Sequence, residues 1–150
     1  MRTIIQIGSV LFLSILLLAC RKAAPPPIEE IIVGNWSITQ ANHKPGPFKA
    51  MEDVSAPFQH FEYTFTANGT VSFRNAQTQE SKTGAWSLVK IPQNVSGPEG
   101  MPVWYVYEYI YLIWDNAPQQ EWLLGSYKPD QFYATESKGN GSYTYQLSRQ

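Results

Sequence analysis

The sequence predicts an all-β domain over residues 31–150, with eight antiparallel strands joined in chain order as an up-and-down barrel. Three observations carry this prediction. Apolar and polar residues alternate with a period of two in segment after segment, the pattern of strands with one buried face. Short connections bearing Gly, Asn, Asp or Pro separate most of the segments. Beyond residue 19 no stretch shows apolar residues at helical spacing over the length of an amphipathic helix. Closing eight strands into a barrel removes exposed edges and leaves an interior that is filled by side chains or holds one small ligand. A flattened β-sandwich is the alternative arrangement of the same strands.

The first strand is expected at about 32–41, where Trp36 and Ile38 share one face and Ser37 and Thr39 the other. It opens on Gly34-Asn35-Trp36-Ser37-Ile38, a pattern repeated fifty positions later as Gly84-Ala85-Trp86-Ser87-Leu88. Residues 42–57, with Pro45, Gly46, Pro47 and Pro57, read as a long loop with a helical turn near Lys49–Val54. Loops of that length in a compact domain are often lids or binding loops. The second strand, 58–67, alternates Phe61, Tyr63 and Phe65 with His60, Glu62 and Thr64, and Asn68-Gly69 turns it into a third at 70–75. Both turn residues tolerate positive φ.

A fourth strand over about 82–90 carries Trp86 and Leu88, and Pro92, Gly97, Pro98, Gly100 and Pro102 mark a second loop. The fifth strand, about 103–115, is the longest. One face carries Trp104, Val106, Glu108, Ile110, Leu112 and Trp114, the other Tyr105, Tyr107, Tyr109, Tyr111 and Ile113. Neither face is polar, so the strand is covered on both sides or presents a contact surface. Three more strands, 119–127, 131–137 and 142–149, are separated by Lys128-Pro129-Asp130 and Lys138-Gly139-Asn140-Gly141.

Ahead of this domain, Arg2 and the apolar run Ile4–Leu18 form a targeting segment over residues 1–19, too short to span a bilayer comfortably. It ends in Leu17-Leu18-Ala19-Cys20, which resembles the lipobox of bacterial lipoproteins. The resemblance implies cleavage before Cys20, a thioether-linked diacylglyceryl group on its sulfur and an acyl chain such as palmitate on its amine. Several acyl chains make a stable anchor where one holds only marginally. Cys20 is the single cysteine, so an anchor there excludes a disulfide, a thiolate metal site and a cysteine nucleophile. By the same resemblance, Arg21 in place of an aspartate favours the outer membrane, on its periplasmic face. Residues 20–30, with Pro25-Pro26-Pro27, read as an extended tether holding the domain roughly 20 to 30 Å at most from the membrane.

Gly34-Asn35-Trp36, Phe65-Thr66-Ala67-Asn68-Gly69-Thr70, Gly84-Ala85-Trp86-Ser87-Leu88 and the closing strand Tyr143–Arg149 together resemble the lipocalin-like domains of bacterial lipoproteins, over about residues 31–150. The resemblance implies a calycin-type barrel that binds a small hydrophobic molecule. It also implies that Trp36 plugs the closed end with Arg149 packed across it, a stacking that suits a cation and an indole face. Two departures stand out: the Thr-Asp-Tyr motif of the classical lipocalins is absent, and so is their C-terminal helix.

The chemistry of the chain points the same way. The formal charge is -1, which gives no electrostatic case for nucleic acid. His43, in a Pro-rich loop, and His60, beside Glu62, read as solvated side chains, and no cofactor or phosphate-binding motif occurs. Glu52-Asp53 falls short of a cation site. No nucleophile and base stand together, so the expected activity is binding rather than catalysis. Glu108 becomes a polar anchor for a ligand if its face points inward, with Tyr63, Phe65 and Trp104 as further candidate ligand-binding residues. If the other face points inward, Glu108 is a surface acid. Tyr105, Tyr107, Tyr109 and Tyr111, spaced about 6.7 Å apart along the strand, form a candidate contact strip for a protein or glycan partner, the alternative function.

Overall fold

The computed structural model describes residues 26–97 and 101–150. The expected targeting segment, 1–19, and Cys20 lie outside the described residues. A short helix, α1 (Ile28–Ile32), leads into β1 (Gly34–Lys44) and the two-residue β2 (Glu52–Asp53). A 3-10 turn (Ala56–Phe58) precedes β3 (Phe61–Phe65) and β4 (Thr70–Asn75). The chain closes with β5 (Ser81–Ser96), β6 (Pro102–Trp114), β7 (Gln120–Lys128), β8 (Gln131–Lys138) and β9 (Gly141–Arg149).

All nine strands belong to one antiparallel sheet, in the order β2-β1-β3-β4-β5-β6-β7-β8-β9. β1 also pairs with β9, from Trp36↔Arg149 to Lys44↔Ser142, so the sheet closes in a ring. Eight strands make the ring in chain order, and both the barrel and the flattened sandwich are compatible with it. The ninth, β2, continues the edge of β1 where β3 stops: β3 pairs with Gly34–Ser37, β2 with Asn42 and His43.

Alternation decides which residues enter the ring. Trp36, Phe65, Ile110, Leu112, Trp122, Phe132 and Leu147 are almost wholly buried. On β6 the face bearing Ile110, Leu112 and Trp114 points inward, and Tyr109, Tyr111 and Ile113 point out. At Asn68-Gly69 only the glycine takes positive φ (83°). Gly69 N–H donates to the Thr66 carbonyl (3.1 Å), and Asn68 keeps ordinary φ, with its side-chain oxygen accepting from the Thr70 amide (3.1 Å). The reversal is thus a turn followed by one left-handed glycine rather than a two-residue primed turn.

Three expectations need correction. Residues 28–30, expected in the tether, and 31–32, expected at the start of the domain, form one helix: Ile28, Ile31 and Ile32 are 1%, 3% and 0% exposed and close one end of the ring. The helix begins after Pro27 with Glu29 and Glu30 in its first turn, where acidic side chains favour the amide dipoles. The helical turn expected near Lys49–Val54 lies instead at Ala56–Phe58, because residues 52–54 are drawn back onto β1. Val54 N–H donates to the Ala41 carbonyl (2.8 Å), and the Ser55 hydroxyl accepts from the Ala41 amide (2.9 Å).

The third correction concerns β5, which runs through Pro92 to Ser96 where a loop is expected. β4 pairs with β5 only from Ser81 to Ala85, so beyond that point one edge of β5 has no ladder for a proline to break. β6 pairs with β7 only from Tyr109 to Leu112. The rest of β5 and β6 therefore leaves the ring as a two-stranded ribbon, in register from Lys90↔Glu108 to Ser96↔Pro102.

Candidate functional site

Strand directions give the ring two unlike ends. One is closed by α1, the start of β1 and the end of β9. Trp36 Nε1 donates to the Ile32 carbonyl (2.7 Å), and the Arg149 guanidinium lies over the Trp36 indole. At the other end the loop after β1 folds across the opening. Phe58, on the 3-10 turn, packs against Phe61 (5.2 Å between centroids) and Tyr145 (5.4 Å).

Beneath Phe58 lies a cavity of about 190 Å³. Its walls are mainly aromatic: Phe61 and Tyr63 from β3, Phe73 from β4, Trp122 from β7, Tyr143 and Tyr145 from β9. Each sits on the inward phase of its strand, so the alternation that builds the core also builds this chamber. Edge-on contacts, Phe61 to Phe73 at 5.0 Å and Tyr63 to Trp122 at 5.1 Å, hold the rings in place.

The polar content of the chamber centres on Glu136, 8% exposed, the buried charged residue among the described positions. Tyr145 O–H donates to its Oε2 (3.0 Å) and Gln120 Nε2 to its Oε1 (3.3 Å). Gln120 Oε1 accepts from Trp114 Nε1 (2.8 Å). Burial pushes the Tyr63 and Tyr145 phenols well up from their ordinary range, and the nearby Glu136 carboxylate adds to both shifts. Both stay neutral donors at neutral pH. Trp122, opposite Glu136 in register, has a buried indole N–H without a hydrogen-bond partner. Lys82 stands at the rim with its ammonium 4.8 Å from the Phe73 and Trp114 centroids.

Of the sequence candidates, Tyr63 lines this chamber and Phe65 does not. Phe65 is 1% exposed and lies deeper, edge-on to Trp86 at 5.6 Å. Glu108 and Trp104 lie away from this chamber, on the ribbon beyond the closed end, because β6 pairs with β7 only from Tyr109 onward. Glu108 pairs with Lys90 (3.3 Å), which also meets Glu29 on α1 (3.0 Å), and Trp104 is 66% exposed. The tyrosine strip is divided: Tyr105 and Tyr107 lie on the ribbon, while Tyr109 and Tyr111 lie outside the ring with centroids 6.4 Å apart.

The glycine and tryptophan signatures are structural. Gly34 has φ +143°, and a Cβ there would strike the Arg149 guanidinium; at Gly84 a Cβ would strike the Ile113 carbonyl. Trp86 Nε1 donates to the Thr66 carbonyl (3.0 Å). Glu136 is the residue that the sequence candidates miss. Phe132-x-Ala134-x-Glu136 is its signal, since a strand that buries Phe132 and Ala134 must carry position 136 inward as well.

Two larger hollows, of about 360 and 380 Å³, lie elsewhere on the ring, the first lined mainly by β7 and β8 (Gln120, Leu123, Thr135, Glu136), the second by the start of β5 and the turn after β6 (Lys82, Thr83, Asp115, Asn116). The first shares Glu136 and Gln120 with the chamber. Among the described residues no group of three or more His, Cys, Asp or Glu side chains is placed to hold a metal, and no helix is long and apolar enough to cross a membrane. No family model matches the chain, and no curated protein matches it.

Proposed function

We propose that the protein is a lipid-anchored lipoprotein of the bacterial envelope whose ring holds one small, mainly apolar molecule in the chamber opposite α1. The observation that carries the reading is a buried carboxylate, Glu136, held by Tyr145 and Gln120 at the wall of an aromatic chamber. A buried carboxylate is costly unless its oxygens are hydrogen-bonded. Glu136 offers a bound molecule an acceptor for a hydroxyl or amine, in addition to the bonds it takes from Tyr145 and Gln120. The aromatic walls supply apolar contact, and the few polar groups orient the guest, the usual division of labour in a small-molecule site.

Size narrows the guest. A dry cavity of about 150 Å³ accepts a benzene-sized molecule, so about 190 Å³ suits a single ring with one or two substituents rather than an extended acyl chain. The anchor part rests on Leu17-Leu18-Ala19-Cys20, and Arg21 favours the outer membrane. An anchor at Cys20 would attach the chain on the α1 side and leave the chamber facing away from the lipid.

Native mass spectrometry of the protein purified from its own host tests the reading. The expected spectrum carries an added mass of a compact organic molecule, lost in Glu136→Leu. A spectrum of the bare chain alone, unchanged after incubation with host extracts, overturns it.

A further inference from the structure

The ribbon of β5 and β6 has no part in the chamber, and it projects from the end of the ring that α1 closes. Its base is fixed there: Lys90 bridges Glu29 of α1 and Glu108 of β6. From that base Ile91–Ser96 extend about 20 Å at strand spacing. Its described outer part exposes large apolar side chains, with Met101 62%, Trp104 66%, Tyr105 52% and Val106 61% exposed. From Ile91 to Tyr107 the sequence has one charged residue, Glu99. Trp and Tyr with neutral polar neighbours suit the boundary between lipid headgroups and acyl chains, where an amphipathic ring has both an apolar and a wet side.

Where the chain begins selects the occupant of this surface. Pro26 and Pro27 are exposed beside α1, at the same end of the ring. Five residues separate Pro26 from Cys20, a reach of about 20 Å at most over the six chain steps. An acylated Cys20 and the ribbon tip therefore reach the same plane. We infer that the exposed Trp104–Val106 segment of the ribbon inserts into the interfacial layer of the membrane that holds Cys20, a second contact that orients the ring with its chamber away from the bilayer. The inference rests on the lipid-anchor part of the proposed function and is independent of what the chamber binds. Apolar burial drives the contact, so it needs no anionic lipid.

The test uses the full chain expressed with its own leader. Incorporation of labelled palmitate, compared with a Cys20→Ser chain, reports the anchor alone. The purified protein is then placed in phosphatidylcholine vesicles with brominated acyl chains, and its tryptophan emission is compared with that in unbrominated vesicles. Part of the emission is expected to be quenched, and that part is lost in Trp104→Phe while palmitate incorporation is unchanged. Trp36, Trp114 and Trp122 are buried in the ring and contribute none of it; Trp86 is half-buried, so any share it has remains in Trp104→Phe, and only the share lost in that variant counts for the ribbon. Unquenched emission from a palmitate-bearing protein overturns the ribbon contact and leaves the anchor standing. Absence of palmitate overturns the anchor and this inference with it. A concentration-dependent dimer that shields Trp104, without quenching by the brominated lipid, makes a second copy the occupant and also overturns the inference.

Discussion

The Arg149 guanidinium carbon stands 4.7 Å from the centroid of the Trp36 ring, and its nitrogens donate to three backbone carbonyls around it. Nη2 reaches Ile31 (2.7 Å), Nη1 Val33 (3.1 Å) and Nε Pro129 (3.0 Å). One side chain thus serves carbonyls at the end of α1, which the short helix cannot pair itself, and ties them to the β7–β8 turn. Arg149→Ala is expected to cost about 2–4 kcal/mol, since bonds to a charged donor and the stacking are lost together. Arg149→Lys recovers less than half, because an ammonium has no planar fork to span three acceptors. Urea midpoints of the three proteins check both statements.

Gly34 belongs to the same arrangement. Its φ of +143° is strained for any other residue, and a Cβ would occupy the guanidinium's place. Gly34→Ala is expected to lose about 1–3 kcal/mol. Gly139→Ala, also at positive φ (60°) but with open space around the added carbon, loses less. Thermal melts of the pair separate backbone strain from displacement of Arg149.

α1 behaves as core. Ile32 is wholly buried and its carbonyl accepts from the Trp36 indole. Ile32→Ala is expected to cost about 2–5 kcal/mol, the range for truncating a buried aliphatic side chain. A loss below about 0.5 kcal/mol would mean that α1 is not part of the core. Denaturant titration of the variant decides between them.

Tyr63 and Tyr145, two of the three tyrosines that line the chamber, predict an alkaline limit. Their phenols titrate near pH 10 in the unfolded chain and higher in the folded one. Their contribution is complete below about pH 10 and declines as pH rises from there toward the folded values, because only the unfolded state releases the protons. Tyr63→Phe and Tyr145→Phe are expected to flatten the loss of stability above about pH 10, Tyr145→Phe at some cost from its broken bond to Glu136. Stability measured from pH 8 to 12 gives the slopes.

Much of the ring is legible in local pattern. Phe61, Tyr63 and Phe65, Val71 and Phe73, and Ile110 and Leu112 alternate inward as their spacing requires. α1 is hidden because five residues are too few for periodicity to register, though Ile28, Ile31 and Ile32 have the i, i+3, i+4 spacing and follow three prolines. Glu108 shows the limit of alternation. It shares a face with Ile110 and Leu112, yet the face says nothing of where the neighbouring strand stops. The chamber carboxylate is Glu136, set by how far β7, β8 and β9 run together.

By itself the sequence determined most of the strands, the alternation within each and the Asn68-Gly69 reversal, because pleat and turn geometry depend on residues within a few positions of each other; it left open which face of the fifth strand points inward. It also supplied the Cys20 motif. Only the tertiary structure decided the closure of β1 on β9, the plugging of one end by α1, the escape of the β5–β6 ribbon and the meeting of Glu136 with Gln120 and Tyr145. Those depend on where separate strands begin and end relative to one another, and residues as distant as Trp36 and Arg149 set that only when the sheet has closed.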